Sequence, residues 1–297
     1  MKRFIITGAS GFVGQYIASR LLDAGHRVTG TGTSQGISRF SDLDDFSWVR
    51  ADTTQPGAWQ EEVKHADVVI NLTGRNIFSY WTKAYKKAIY DSRILTTRHV
   101  VEAIEPGSVL LNTSAAGFYG DGKDQLLTEE SQNGTDFLAT VCRDWEQEAY
   151  QAAEKQVRVA MMRFGVVLGS GGALGKMLPA FKLMAGGPLG SGVQWFPWIH
   201  IEDLYRAALH LVDQQDLTGA FNFTAPGVTR QKNFARALGK AVHRPAFMPA
   251  PGFAVKLIMG EMGSAFLNSQ RAVPKRLQES GFDFKFGGLE QALSDIL

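Results

Sequence analysis

The chain has 297 residues, 44% of them hydrophobic and 20% charged, a balance that suits a globular protein with one large core or two smaller ones. Lysine and arginine exceed aspartate and glutamate by only two, so composition offers no strong field for nucleic acid or an anionic membrane and leaves small anionic ligands as the expected partners. A single cysteine, Cys142, excludes an internal disulfide and suits a reducing compartment, and six scattered histidines provide no metal-ligand pair.

The first apolar run, Phe4-Ile5-Ile6, predicts a strand over 3–7. It leads into Thr7-Gly8-Ala9-Ser10-Gly11-Phe12-Val13-Gly14, where a strand must hand over to a helix within a few residues. Gly8 supplies the tight turn, Gly11 lets backbone N–H groups approach a pyrophosphate, and Gly14 lets the helix pack against the sheet. The helix N-terminus presents unpaired N–H donors and a positive dipole end to the phosphates, with Ser10, Phe12 and Val13 completing the turn. Ile17, Leu21 and Leu22 recur at helical spacing until Gly25, a C-cap. The chain enters this strand at once, so no signal peptide is expected. No apolar run is long enough to cross a bilayer, and the expected location is cytoplasmic.

Further strands are predicted near 27–32, 47–51, 67–72, 108–113 and 157–163, with long helices over 82–104 and 136–154. Those two helices offer a surface for a homodimer. Strands alternating with amphipathic stretches predict an α/β fold, a Rossmann-type doubly wound parallel sheet with helices on both faces. From 169 to 198 glycines crowd a stretch broken by Pro179 and Pro188, a loop-rich segment expected to line a substrate cleft. A late strand over 220–224 rejoins the sheet. The organisation is therefore a nucleotide-binding domain over 1–225 and a small, mostly helical C-terminal lobe over 226–297.

In such a sheet an acidic residue about 20 positions beyond the glycines holds the ribose 2′-hydroxyl of NAD. Here the position reads Thr31-Gly32-Thr33-Ser34-Gln35-Gly36, with no acid before Asp42. A carboxylate would repel a 2′-phosphate, so its absence beside Gly32, Thr33, Ser34 and the guanidinium of Arg39 favours NADP. The alternative is that Thr33, Ser34 and Gly36 are turn formers and the cofactor is NAD. Asp52 either accepts from the adenine amino group or caps the next helix. Asn71-Leu72-Thr73-Gly74 brings small residues to where the pyrophosphate and nicotinamide ribose belong.

These residues resemble the extended short-chain dehydrogenase/reductase superfamily, whose phosphate loop has the Gly-x-x-Gly-x-x-Gly spacing of Gly8, Gly11 and Gly14. Asp91-Ser92-Arg93, Ser114 to Gly120, Asp144-Trp145-Glu146, Gly165 to Gly169, Gly171 to Pro179, Gly186 to Gly192 and Pro197 to Ile201 are similar to its atypical "epimerase family" subgroup. The resemblance covers the whole chain, terminal lobe included. It implies an NAD(P)-binding fold and an oxidoreductase or epimerase-like activity on a small substrate.

The superfamily's acid/base pair is a Tyr and a Lys four residues later on one helix face, where the ammonium lowers the phenol pKa. Aligning Glu146 with the acidic residue that follows this pair puts Leu138 in place of Tyr and Cys142 in place of Lys. Neither can do the same work. The literal Tyr119-x-x-x-Lys123 contains Gly120 and Gly122, which disfavour a helix. Tyr119 still follows the fifth strand, so it is either a phenolic candidate facing the crevice or an aromatic plug beside Phe118. Ser114 keeps the superfamily serine position and would orient a substrate oxygen, unless it is a turn residue. Arg93 stands where the superfamily has Asn, and its planar fork suits a cofactor phosphate or an anionic substrate; the other reading is a salt bridge with Asp91. Arg163 opens a segment where sugar-nucleotide enzymes carry Arg-x-x-Asn, with Val166 in place of Asn, and is a further cofactor candidate. His200 and Asp203 resemble a structural helix start. Catalysis thus falls to Ser114, Tyr119 and Arg93. The alternative is a non-catalytic NADPH sensor or scaffold.

Overall fold

The computed structural model describes residues 1–297. In chain order the first half comprises β1 (Arg3–Thr7), α1 (Phe12–Asp23), β2 (Arg27–Gly32), β3 (Phe46–Arg50), α2 (Trp59–Lys64), β4 (Val68–Asn71), α3 (Lys83–Ala103) and β5 (Val109–Ala115). It continues through β6 (Leu126–Leu127), α4 (Phe137–Tyr150), β7 (Arg158–Phe164), β8 (Val166–Leu168), α5 (Gly172–Lys182), β9 (Trp198–His200), α6 (Ile201–Asp213) and β10 (Gly219–Phe223). The terminal part holds α7 (Gln231–Ala241), α8 (Gly252–Met259), α9 (Glu261–Phe266), β11 (Arg271–Ala272), α10 (Lys275–Glu279) and α11 (Leu289–Ile296).

Seven strands form one sheet in the order β10-β7-β5-β4-β1-β2-β3, every pair parallel, which is the doubly wound arrangement the sequence predicts. The chain reverses direction across the sheet between β1 and β4, and ligands bind in the crevice beyond the strand C-termini at such a switch point. Burial of the strands on both faces explains their unbroken apolar runs: Phe4, Ile5 and Ile6 are all buried. One core packs α1 and α6 on the first face, with Ile17, Leu21, Leu204 and Leu211 against Phe4 and Ile6. The second face carries α2, α3 and α4 over Ile5, Val69, Leu110 and Met161.

Helix starts follow ordinary capping. Thr82 accepts from the Tyr85 N–H at 3.1 Å to begin α3, and Asp136 accepts from the Ala139 N–H at 2.9 Å to begin α4. His200 Nδ1 accepts from the Glu202 N–H at 3.1 Å, and the buried Asp203 carboxylate accepts from the Lys285 and Phe286 N–H groups, each at 2.8 Å. Both residues are structural, as their pattern implied.

Two features differ from the sequence expectation. The loop-rich segment contains a helix, α5, and is framed by a second small parallel sheet of β8 and β9, whose three-residue strands are too short to show periodicity. The terminal lobe also shares its core with that segment, because Leu168, Leu174, Phe181 and Trp198 pack with Phe234, Leu238, Phe286 and Leu293. A further short pairing, β11 with β6, stitches the lobe to the nucleotide-binding half. No helix is long and apolar enough to cross a membrane.

Candidate functional site

At the switch point the glycine turn is shaped by close backbone approach. Gly8 has φ +68°, and a Cβ there would meet the Leu72 backbone at 3.1 Å. A Cβ on Gly14 would lie 2.6 Å from the Gly8 carbonyl oxygen. The turn is fixed by the Gly11 N–H donating to Gly8 O at 3.0 Å and by Gln15 Nε2 donating to Ser10 O at 2.8 Å. Gly11 caps α1 without a side chain, and the N–H groups of Phe12, Val13 and Gly14 donate to no backbone carbonyl. Three amides of one helix N-terminus are thus left for an anion. The Phe12 ring itself turns away and packs on Gly169, Gly171 and Gly172, so only its backbone faces the turn.

The end of β2 carries a second set of donors. The Ser10 hydroxyl lies against Gly32, while Arg39 donates to Gln15 O and so reaches the start of α1 from the Ser38–Phe40 turn. Arg50, which pairs with Gly32 in register, donates to Thr33 O at 3.3 Å. Arg50 thus stands beside Thr33 and Arg39 beside the start of α1, and neither forms a salt bridge with a carboxylate. Arg50 escaped the sequence reading because only the β2–β3 register brings it beside Thr33. Asp52 is exposed and closes a local turn, accepting from the Thr54 N–H at 3.0 Å and the Thr54 hydroxyl at 2.7 Å, which leaves its second oxygen free. It caps no helix, since α2 begins only at Trp59.

Asn71 must be corrected. It accepts from Thr7 Oγ1 at 2.6 Å and donates to Thr97 Oγ1 at 2.8 Å and Asn112 Oδ1 at 2.6 Å. Its amide is spent inside the core, holding β1, β4, β5 and α3 in register, and only Leu72, Thr73 and Gly74 remain at the crevice.

Arg93 projects from α3 onto Gly74, where a Cβ would approach its Cζ to 2.9 Å. Its guanidinium donates to the carbonyls of Ile89 at 3.0 Å and Arg75 at 3.2 Å and lies 5.1 Å from the Trp145 ring. The salt bridge with Asp91 does not form, because Asp91 pairs with Lys87. Arg93 has no carboxylate partner, and burial holds its pKa below the ordinary arginine value.

Ser114, one residue before the end of β5, is fully buried, and its hydroxyl has no nitrogen or oxygen partner and meets only the Cys142 thiol. The hydroxyls of Thr31, Thr73 and Thr113 also lack a nitrogen or oxygen partner. Buried polar atoms are seldom left unpaired, and these four lie at the C-terminal rim of β2, β4 and β5, where a ligand belongs. Cys142 lies near both Ser114 and Arg93. Burial and the Glu146 carboxylate push its thiol up to about 11, against the opposing pull of Arg93 and Ser114.

Tyr119 and Arg163 are the second and third corrections. The Tyr119 hydroxyl donates to Asn222 Oδ1 at 2.7 Å and accepts from Arg163 Nη1 at 3.0 Å, and burial pushes its pKa up to about 12. Its ring meets Phe118 edge-on with centroids 5.4 Å apart, so it is the aromatic plug and not a free phenol. Arg163 binds Glu146 through two bonds of 2.8 Å and also donates to Glu129 O, with its guanidinium 3.6 Å from the Phe118 ring centroid. Four of its five N–H groups are committed to Glu146, Tyr119 and Glu129 O, and its charge is neutralised by the buried Glu146 carboxylate, which removes it from the cofactor set.

A cavity of about 340 Å³ adjoins this region. Trp81, Tyr119, Phe137 and Leu138 form its wall from the nucleotide-binding half, and Glu261, Ala265 and Asn268 close it from the lobe. Leu138, in the place of the superfamily tyrosine, therefore presents a methyl surface instead of a phenol. The lobe's part in this wall has no signal in the sequence, because residues 261–268 meet Trp81 only through the tertiary fold.

Comparison with known proteins bears out the fold and the family. Residues 4–223 match the NAD dependent epimerase/dehydratase family, and residues 250–296 match a domain of unknown function, DUF1731. The chloroplastic homolog of epimerase family protein SDR39U1 from Arabidopsis thaliana is 38% identical, over 98% of this chain and 86% of that protein. Epimerase family protein YfhF from Bacillus subtilis is 35% identical, over 98% of this chain and 97% of that one. The crystal structure of human epimerase family protein SDR39U1 with NADPH superposes with a TM-score of 0.88 at 30% identity, covering 99% and 98% of the two chains.

Proposed function

The chain belongs to the NAD dependent epimerase/dehydratase family, and from that membership we propose that it binds NADPH and acts as an NADP-linked oxidoreductase or epimerase-like enzyme on a small substrate. The observation that carries this reading is the carboxylate-free guanidinium of Arg93 on Gly74, close to the Cys142 thiol, which is also the one group that the buried Ser114 hydroxyl meets. The solved human relative, with NADPH in its title, supports the choice of cofactor.

The residues fit such a dinucleotide. The open amides of Phe12, Val13 and Gly14 would hold the pyrophosphate, and Arg39 and Arg50 with Thr33 and Ser34 would hold the 2′-phosphate. Asp52 offers its free oxygen to the adenine amino group, and Leu72, Thr73 and Gly74 line the way to the nicotinamide end. When bound, the cofactor supplies or accepts a hydride. Ser114 then donates a hydrogen bond to the substrate oxygen, and Arg93 balances negative charge on that oxygen or on a phosphate beside it. Cys142 keeps its proton at neutral pH, so the proton that accompanies a hydride comes from water or through Ser114.

The cavity also disfavours a nucleoside diphosphate sugar. Asp121, Asp136 and Glu261 stand on its wall, the first two without a salt-bridge partner and Glu261 neutralised by Lys86, so a diphosphate there meets like charge.

The test is to titrate the protein with NADPH and NADH and then assay NADPH consumption across a panel of carbonyl compounds, with Ser114→Ala as control. Tighter NADPH binding and a turnover lost in Ser114→Ala are expected. The presence of Leu138 and the buried Cys142 in the acid/base positions favours a second reading, a non-catalytic NADPH sensor; NADPH binding with no turnover on any member of the panel selects it.

A further inference from the structure

The near-neutral formal charge conceals a segregation. Between Glu154 and Glu202, and again between Asp216 and Glu261, the sequence contains no aspartate or glutamate, yet the two stretches together carry eleven lysines and arginines. With a whole-chain charge of only +2, the remaining sequence is net negative. Lys155, Arg158 and Arg163 are tied into the nucleotide-binding half, but Lys176, Lys182, Lys240, Arg244 and Lys256 are exposed on α5, α7, α8 and the turns between them.

The same region gathers most of the large apolar side chains that face solvent. On α8, Phe253, Leu257 and Ile258 are 75%, 81% and 76% exposed, while Val255 turns inward and is buried. On the neighbouring turns Leu183 and Phe247 are 77% and 71% exposed. Backbone bonds hold these turns side by side: the Met248 N–H donates to Gly186 O at 3.3 Å, and the Ala250 N–H donates to Pro188 O at 2.9 Å. The Gly190 N–H returns to Ala250 O at 2.8 Å. Apolar side chains clustered in this way and rimmed by polar residues mark an interaction surface.

We infer that this face, built from α8 and the 183–190 and 244–250 turns, docks on an anionic lipid bilayer, with Phe247, Phe253, Leu257 and Ile258 entering the interface and the lysines meeting the headgroups. The segments that build the patch contribute no acid, and its nearest carboxylates, Asp121 and Asp124, sit at the edge beside Gly190, Phe253 and Lys256, where Asp124 is neutralised by Arg230 at 2.8 Å. Apolar side chains flanked by lysine in this way are the pattern of an interfacial helix that lies on a membrane. A second copy of the chain fits less well. An isologous contact would set one cationic patch against another, and like charges at close quarters repel. Composition alone predicts no membrane partner, because a net charge averages over a chain whose acids come from other segments.

Co-sedimentation of the full chain with vesicles tests the assignment. The protein is expected to pellet with phosphatidylcholine vesicles containing phosphatidylglycerol, at least about tenfold more tightly than with phosphatidylcholine alone, and to release at high salt. Leu257→Ser with Ile258→Ser, and separately Phe247→Ser on the turn, should each lose that binding while unfolding at the wild-type temperature. The single turn variant decides the matter if the helix variant does not fold. Failure of the wild type to bind phosphatidylglycerol vesicles overturns the assignment, as does binding that survives both variants. Self-association abolished by them also overturns it and makes the face a contact between copies. None of these readouts depends on NADPH binding, so they stand apart from the proposed activity.

Discussion

The guanidinium of Arg93 rests on Gly74 so closely that a Cβ there would lie 2.9 Å from Cζ, and it does so without a carboxylate partner. A cation held this way costs desolvation energy in the free protein that its two carbonyl bonds and the Trp145 ring offset only in part, and an anion offsets the rest. Arg93→Met should therefore leave the melting temperature of the free protein unchanged or raise it, while weakening NADPH binding by about 10–100-fold, the value of a charge-assisted hydrogen bond. Calorimetric unfolding and fluorescence titration of the variant separate the two effects. A loss of stability without a loss of affinity would refute the role given to Arg93.

Arg163 and Tyr119 should behave in the opposite manner. Removing one partner of a buried, doubly bonded ion pair leaves an uncompensated charge, so Arg163→Met should cost about 3–5 kcal/mol. Tyr119→Phe should cost about 1–3 kcal/mol by stripping Asn222 and Arg163 of a partner. Denaturant unfolding measures both, and neither change should alter NADPH affinity per folded molecule. Abolished turnover in a stable Tyr119→Phe protein would restore the phenol as a catalyst.

Cys142 should be inert. Its thiol is displaced from the ordinary 9.0 to about 11, so it remains protonated near neutrality and should react with a thiol reagent only on unfolding. The folded value exceeds the unfolded one, so the stability linked to this group is complete below pH 9 and is lost as pH rises through about 11. In that window wild-type stability should fall more steeply than that of Cys142→Ala, by at most about 1.4 kcal/mol per pH unit. Parallel unfolding curves for the two proteins from pH 8.5 upward make the comparison; identical slopes would show that the thiol titrates normally.

Cofactor choice should lie with Arg39 and Arg50. Replacing both by alanine should weaken NADPH binding by about tenfold or more and leave NADH nearly untouched, because each guanidinium answers only to the 2′-phosphate. The ratio of the two dissociation constants is the measurement. An equal loss for both dinucleotides would place the arginines on a shared part of the cofactor.

The sequence by itself determined the sheet. Its apolar runs are buried on both faces and its glycines are demanded by backbone approach, so strands, crossovers and phosphate turn are written in local pattern. It also determined what is missing, since Leu138 and Cys142 cannot do the work of a tyrosine and a lysine. Tertiary structure decided which polar residues are free to act. Asn71, Tyr119 and Arg163 look as available in sequence as Arg93 and Ser114. Their partners Thr97, Asn112, Glu146 and Asn222 come from distant strands and helices, and burial forces those groups to satisfy one another. The same holds for charge. A total of +2 is fixed by composition, but only the tertiary pairing of the 186–190 and 248–250 turns brings the two acid-free stretches of sequence together.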